Sequence, residues 1–146
     1  MTPDQLKALI ASDPEAKALA ETGAADLCAA RCRAIAPKVT TERKLTELEI
    51  LSLYANPADG EAVMQQIEKA AANASAPLVK RVLKWIQPGA PGVDVGNAQV
   101  RQLLTTPVNQ GGAGLTANQA RPMLAAAEVE PAITGADVST AWPFGV

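Results

Sequence analysis

The sequence predicts an all-α protein, a compact bundle of short capped helices. Three observations carry that reading. A capping pattern recurs along the chain, prolines stand where helices would begin, and the apolar residues between these marks follow helical spacing.

The capping pattern is an apolar residue, a cap, two spacers, then an acid or amide followed by an apolar residue. Leu45-Thr46-Glu47-Leu48-Glu49-Ile50, Leu115-Thr116-Ala117-Asn118-Gln119-Ala120 and Ile133-Thr134-Gly135-Ala136-Asp137-Val138 are full copies. Each Thr hydroxyl accepts from the third helical amide, the acid or amide reaches back, and the flanking apolar pair closes a hydrophobic staple. Val95-Gly96-Asn97-Ala98-Gln99-Val100 is a weaker copy, because Gly96 in the cap place offers no side-chain acceptor. Thr2-Pro3, Asp13-Pro14 and Asn56-Pro57 put proline at a first helical position, and Ser75 is expected to cap Ala76-Pro77. Gly23, Pro37, Pro88 and Pro107 read as stops. The helices expected are 3–11, 14–22, 24–36, 47–55, 57–72, 76–87, 97–106, 117–128 and 135–142.

Apolar spacing supports three of these directly. Leu48, Leu51 and Tyr54, with Ile50 and Leu53, give 47–55 a wide apolar surface. Val63, Ile67 and Ala71 form a narrow stripe on 57–72. On 76–87, Val79, Val82, Leu83 and Ile86 are spaced as a buried face, with Lys80, Arg81 and Lys84 opposite. Pro122 conflicts with 117–128, so that helix either kinks there or begins near Arg121.

A chain of 146 residues suits a single helical domain over 1–146. The best internal break is Gln87-Pro88-Gly89-Ala90-Pro91-Gly92, which would divide it into subdomains 1–87 and 97–142 joined near 87–96. The glycine-rich stretch 107–114 reads as a second, mobile linker. Residues 142–146 form an apolar tail.

Composition bounds the function. Apolar residues make up 48% but aromatics only 3%, so the core is thin, built from Leu, Ile and Val between close-packed Ala-rich helices. A net charge of −2 argues against a dedicated nucleic-acid binder. The first thirty residues are acidic, and Arg31, Arg33, Lys38, Arg43 and Lys44 then face Glu42 alone. Ends of opposite sign suit head-to-tail contacts between copies, or are simply solvated faces. No apolar run approaches the roughly 20 residues of a bilayer span, and the start lacks the features of a signal peptide.

Several chemistries find no support. With no histidine there is no Ser-His or Cys-His pair. Cys28 and Cys32, one helical turn apart, suit neither a disulfide nor a zinc site and read as small apolar filler. Glu47 with Glu49, and Glu128 with Glu130, are two apart and diverge on a helix. The glycines at 111, 112 and 114 lack the strand and Lys of a phosphate loop. A helix-turn-helix over 116–142 would have a second helix without base-reading side chains. No catalytic residue, cofactor or metal is expected.

Two features remain as candidate partner-binding sites. Trp142, Pro143, Phe144 and Val146 form a rigid apolar tail of the kind that anchors interfaces. Lys80, Arg81 and Lys84, with Trp85 beside them, fit phosphate or an acidic protein surface, or a solvated face whose stems cover apolar surface.

Leu78-Val-Lys-Arg-Val-Leu-Lys-Trp-Ile86, then Val93-Asp94-Val95 leading into Val100-Arg101-Gln102-Leu103-Leu104, and the later capped runs from Leu115 and Ala132 together resemble small Ala-rich helical proteins of tailed bacteriophages and prophages. The likeness spans about residues 40–142 and consists of capping grammar and apolar spacing. It implies a non-enzymatic virion component of the neck, tail or capsid surface, binding itself or other virion proteins. Such a protein is made in the host cytoplasm and then resides in the virion. The alternative is a small regulatory or nucleic-acid-associated helical protein using the basic patches at 31–44 and 80–84.

Overall fold

The computed structural model describes residues 1–143, and 62% of the described residues are helical. Nine α-helices lie among the described residues: α1 (Pro3–Ser12), α2 (Pro14–Glu21), α3 (Ala25–Ile35), α4 (Glu47–Ser52), α5 (Pro57–Ala71), α6 (Pro77–Ile86), α7 (Ala98–Thr105), α8 (Ala117–Ala126) and α9 (Gly135–Ala141). Four two-residue strands, β1 (Val39–Thr40), β2 (Lys44–Leu45), β3 (Val93–Asp94) and β4 (Glu128–Val129), complete the regular structure with one 3₁₀ turn at Val108–Gln110. The protein is all-α, and each helix falls where capping and spacing place one.

The caps explain why. Thr46 with Glu49, Thr116 with Gln119 and Thr134 with Asp137 form reciprocal capping boxes, and Thr2 with Gln5 adds a fourth. The apolar residues flanking the first three, Leu45 and Ile50, Leu115 and Ala120, Ile133 and Val138, are all buried. Two cap assignments change. Asn97, not Gly96, caps α7, because its carboxamide oxygen accepts from the amides of both Gln99 and Val100. Ala76 takes the cap place of α6, and the Ser75 hydroxyl bonds instead to Asn73 and to the Val108 carbonyl. Pro122 lies inside α8 without moving its start from Ala117. The carbonyl of Asn118, which loses its usual donor there, belongs to an exposed residue.

The chain divides into two compact units. Unit one is Met1–Val39 with Val129–Val146, and unit two is Thr40–Glu128. The break expected near 87–96 therefore gives way to boundaries at 39/40 and 128/129. The reason is hydrogen bonding that composition hides. The Gly92 amide donates to the Trp85 carbonyl at 2.9 Å, and Ala90 bonds back to Gln87. β3 then pairs antiparallel with β2, Lys44 opposite Asp94 and Leu45 opposite Val93. Gly92 is required at this corner: its φ is +97°, and a Cβ would lie 2.9 Å from the Leu45 carbonyl. The segment 107–114 is likewise tied down. Ala113, Gly114 and Leu115 donate to the carbonyls of Leu103, Thr106 and Leu104, and Ala113 and Leu115 are buried.

In unit one, α9 packs on α1 and α3, and α2 joins α1 and α3. Leu6, Ile10, Ile133 and Val138 share its core with five alanines and the two cysteines. In unit two, α5 packs against α4 and α6, and α7 against α8. Its core draws on every one of these helices, from Ile50 through Ile67, Ile86 and Leu104 to Met123, with Leu45 and Val93 from the strand pair.

Candidate functional site

Unit two carries a groove of about 390 Å³ where α6, the β2–β3 pair and the start of α7 meet. Its apolar lining is Leu78 and Val82 from α6 with Val100 and Leu103 from α7. Lys44, Arg81, Trp85, Asp94, Asn97 and Gln99 add polar and aromatic groups. Amphipathic spacing turns Val79, Val82 and Ile86 into the core and leaves Leu78, Arg81 and Trp85, three and four residues apart, along one stripe of α6. Leu78 is 58% and Trp85 44% exposed, unusual for residues of that size.

The expected basic patch is split by the same geometry. Arg81 lines the groove, whereas Lys80 and Lys84, exposed and one turn apart, lie outside its lining. Among the described residues none of the three pairs with a carboxylate. Lys44 meets only Glu42, at 3.7 Å between side chains that are both more than half exposed, a contact of little strength. The Asp94 carboxylate is turned toward the backbone, one oxygen accepting from the amides of Arg43 (3.1 Å) and Gly96 (2.9 Å). Asn97 spends its carboxamide oxygen capping α7, so what it retains is a donor.

The three arginines of the other basic patch are engaged within the chain. Arg31 makes two bonds to Asp13 at 3.0 and 3.1 Å and approaches Glu15 at 3.4 Å. The Arg33 guanidinium donates to the Ile133 carbonyl, and Arg43 pairs with Glu49 at 3.0 Å. The guanidinium of Arg31 and the Ala16 amide hold the Asp13 carboxyl below its ordinary range. Glu128 is lowered in the same way, first by Arg121 and also by Arg101. Cys28 and Cys32 are fully buried free thiols, and burial pushes Cys32 up to about 12, the opposite of an activated nucleophile. Burial also raises Tyr54 to about 12, while its hydroxyl donates to the Gln119 carbonyl.

Of the tail, Trp142 is half-buried, packs against the core of unit one and donates its amide to Val138 at 2.7 Å, while Pro143 is exposed. Phe144 and Val146 lie outside the described residues. A second groove on unit two, also about 390 Å³, is lined by Leu48, Leu51, Ile86 and Pro88, and Leu48 is 77% exposed.

Sequence reasoning marks Arg81 and Trp85, and Lys44 only as one end of the basic stretch 31–44, but misses Leu78, Asn97 and Gln99. The stripe of Leu78, Arg81 and Trp85 is readable from helical spacing. Lys44, Asn97 and Gln99 reach the groove through the β2–β3 pair and the start of α7, a pairing across about fifty residues that no local pattern announces. Among the described residues no helix is long and apolar enough to cross a membrane, and no cluster of three His, Cys, Asp or Glu stands ready for a metal. No family model matches the chain, and neither a curated protein nor a solved structure is significantly similar to it.

Proposed function

We propose that this chain is a non-enzymatic assembly component that works by protein–protein contact, with α6 of unit two as its principal docking face. The observation that carries the reading is the exposed stripe of Leu78 and Trp85 beside an apolar groove. Large apolar side chains left together in solvent mark a surface that something else covers. The bacteriophage setting, a structural protein of the neck, tail or capsid surface, rests on the sequence resemblance alone. The tail from Trp142 is a secondary contact, its ring shared with unit one's own core. The nucleic-acid reading is weakened, because Arg31, Arg33 and Arg43 of its first patch are committed to bonds within the chain.

The experiment is the solution mass of the full-length protein by light scattering, beside a Leu78→Ser/Trp85→Ser double variant and a deletion of 142–146. The expected result is a defined assembly, dissolved by the double variant with helix content unchanged and weakened less by the deletion. A protein that is strictly monomeric across concentrations, and binds no other particle protein, contradicts the reading.

A further inference from the structure

We propose that the groove between α6 and α7 receives a short acidic segment of a partner protein, with a bulky apolar side chain seated on Trp85 and carboxylates meeting Arg81 and Lys44. This builds on the assembly reading and adds the partner's chemical class.

The groove asks for both properties. Its floor of Leu78, Val82 and Val100 gains from covering by an apolar side chain, and the Trp85 ring offers a rigid face. Arg81 and Lys44 come from different elements, and Arg81 has no carboxylate partner among the described residues. One oxygen of the lining's own carboxylate, Asp94, accepts from two backbone amides, and the two cations Arg81 and Lys44 outnumber that single acid. Asn97, its oxygen spent on the cap, presents only N–H groups to an occupant. The polar side of the groove carries two cations against one carboxylate, with the Asn97 N–H groups beside them, and an anionic, acceptor-rich segment complements it. Lys80 and Lys84 on the neighbouring face of α6 add to the attracting field. A nucleic acid is the less fitting occupant: across Thr40–Glu128 eight Lys and Arg are matched by eight Asp and Glu, so the unit carries no net positive charge to hold a polyanion.

The test titrates the isotope-labelled full-length chain with an acetylated, amidated peptide Asp-Glu-Leu-Phe-Asp-Glu, followed by nuclear magnetic resonance. The same peptide with Asn and Gln for the acids, and a short oligothymidylate, run beside it. Saturable shifts are expected at the Trp85 indole, the Asn97 side-chain amide and Val100, weaker for the uncharged peptide. Arg81→Glu, at an exposed position that leaves the core untouched, is expected to reduce affinity about tenfold or more. The proposal is overturned by absence of shifts at about 1 mM acidic peptide, by equal binding of both peptides, by an unaffected Arg81→Glu variant, or by tighter binding of the oligothymidylate. The solution mass keeps the two readings apart. An assembly that Leu78→Ser/Trp85→Ser dissolves, in a protein that ignores the acidic peptide, removes this partner and leaves the assembly role standing.

Discussion

Unit one and unit two bury their chains in different ways. Among the described residues, unit two's core holds twenty buried apolar residues, fourteen of them larger than alanine, from one continuous stretch of chain. Unit one's core holds eleven, of which five are alanine and two cysteine, and it closes only when α9 returns to α1 and α3. The thick core supports a helix, α6, that can leave Leu78 and Trp85 outside and still be fixed by Val79, Val82 and Ile86. The thin core instead draws Trp142 onto itself. Exposure is not confined to unit two, for Leu27 on α3 is 63% exposed; what α6 adds is a second large side chain on the same stripe, beside a groove.

Substitutions can break this comparison at graded strength. Ile67→Ala in unit two and Ile10→Ala in unit one remove fully buried side chains, and each is expected to cost about 2–5 kcal/mol by urea unfolding. The thin core collapses more readily around the loss, so Ile10→Ala should lie nearer the lower end. Equal costs, or the reverse order, would show that alanine-rich packing in unit one is no looser. Gly92→Ala comes next, at about 1–3 kcal/mol, because it strains a positive φ and presses a Cβ onto the Leu45 backbone. It should also broaden resonances around the groove, whereas Gly89→Ala, with a positive φ but open space, should disturb the groove far less.

Caps give smaller effects. Thr46→Ala and Thr116→Ala in unit two and Thr134→Ala in unit one should each cost about 1 kcal/mol in thermal unfolding. The smallest effect is that of acid. Asp13 in unit one and Glu128 in unit two are held below their ordinary values of 3.8 and 4.5 by arginines and, for Asp13, an amide. A carboxylate whose folded pKa is lowered binds protons less readily than in the unfolded chain. Its stabilisation is present above the ordinary value and is lost as pH falls through the lowered one. Stability should therefore be flat from about pH 5 to about pH 8 and decline below that range through these carboxylates. Above it, stability should fall as the unfolded chain ionises the thiol and phenol that burial keeps protonated in Cys32 and Tyr54. Glu128→Gln should reduce the acid slope, and an unchanged slope would place the acid sensitivity elsewhere.

Local chemistry was legible and pairing was not. The helix starts were readable because a cap is decided within five residues: Thr46 with Glu49, or Thr134 with Asp137, needs no distant partner. The unit boundaries were hidden because α9 joins α1 and α3 across most of the chain, while the Pro- and Gly-rich 87–92 conceals a hydrogen-bonded corner. In the groove, Arg81 and Trp85 could be marked from α6 alone. Lys44 depends on a two-residue strand whose partner lies at Val93–Asp94, too short to signal itself. In the basic stretch 31–44 the partner of Arg31 was hidden in the same way, since Asp13 lies eighteen residues earlier.

The comparison between the units rests on unit two building its core within Thr40–Glu128. Thermal unfolding of residues 40–128 expressed alone, followed by circular dichroism, measures that property. A helical spectrum with one cooperative transition is the expected result. A fragment without a transition, or with the helix signal of an unfolded chain, would contradict the account by showing that unit two's core is not sufficient without the rest of the protein.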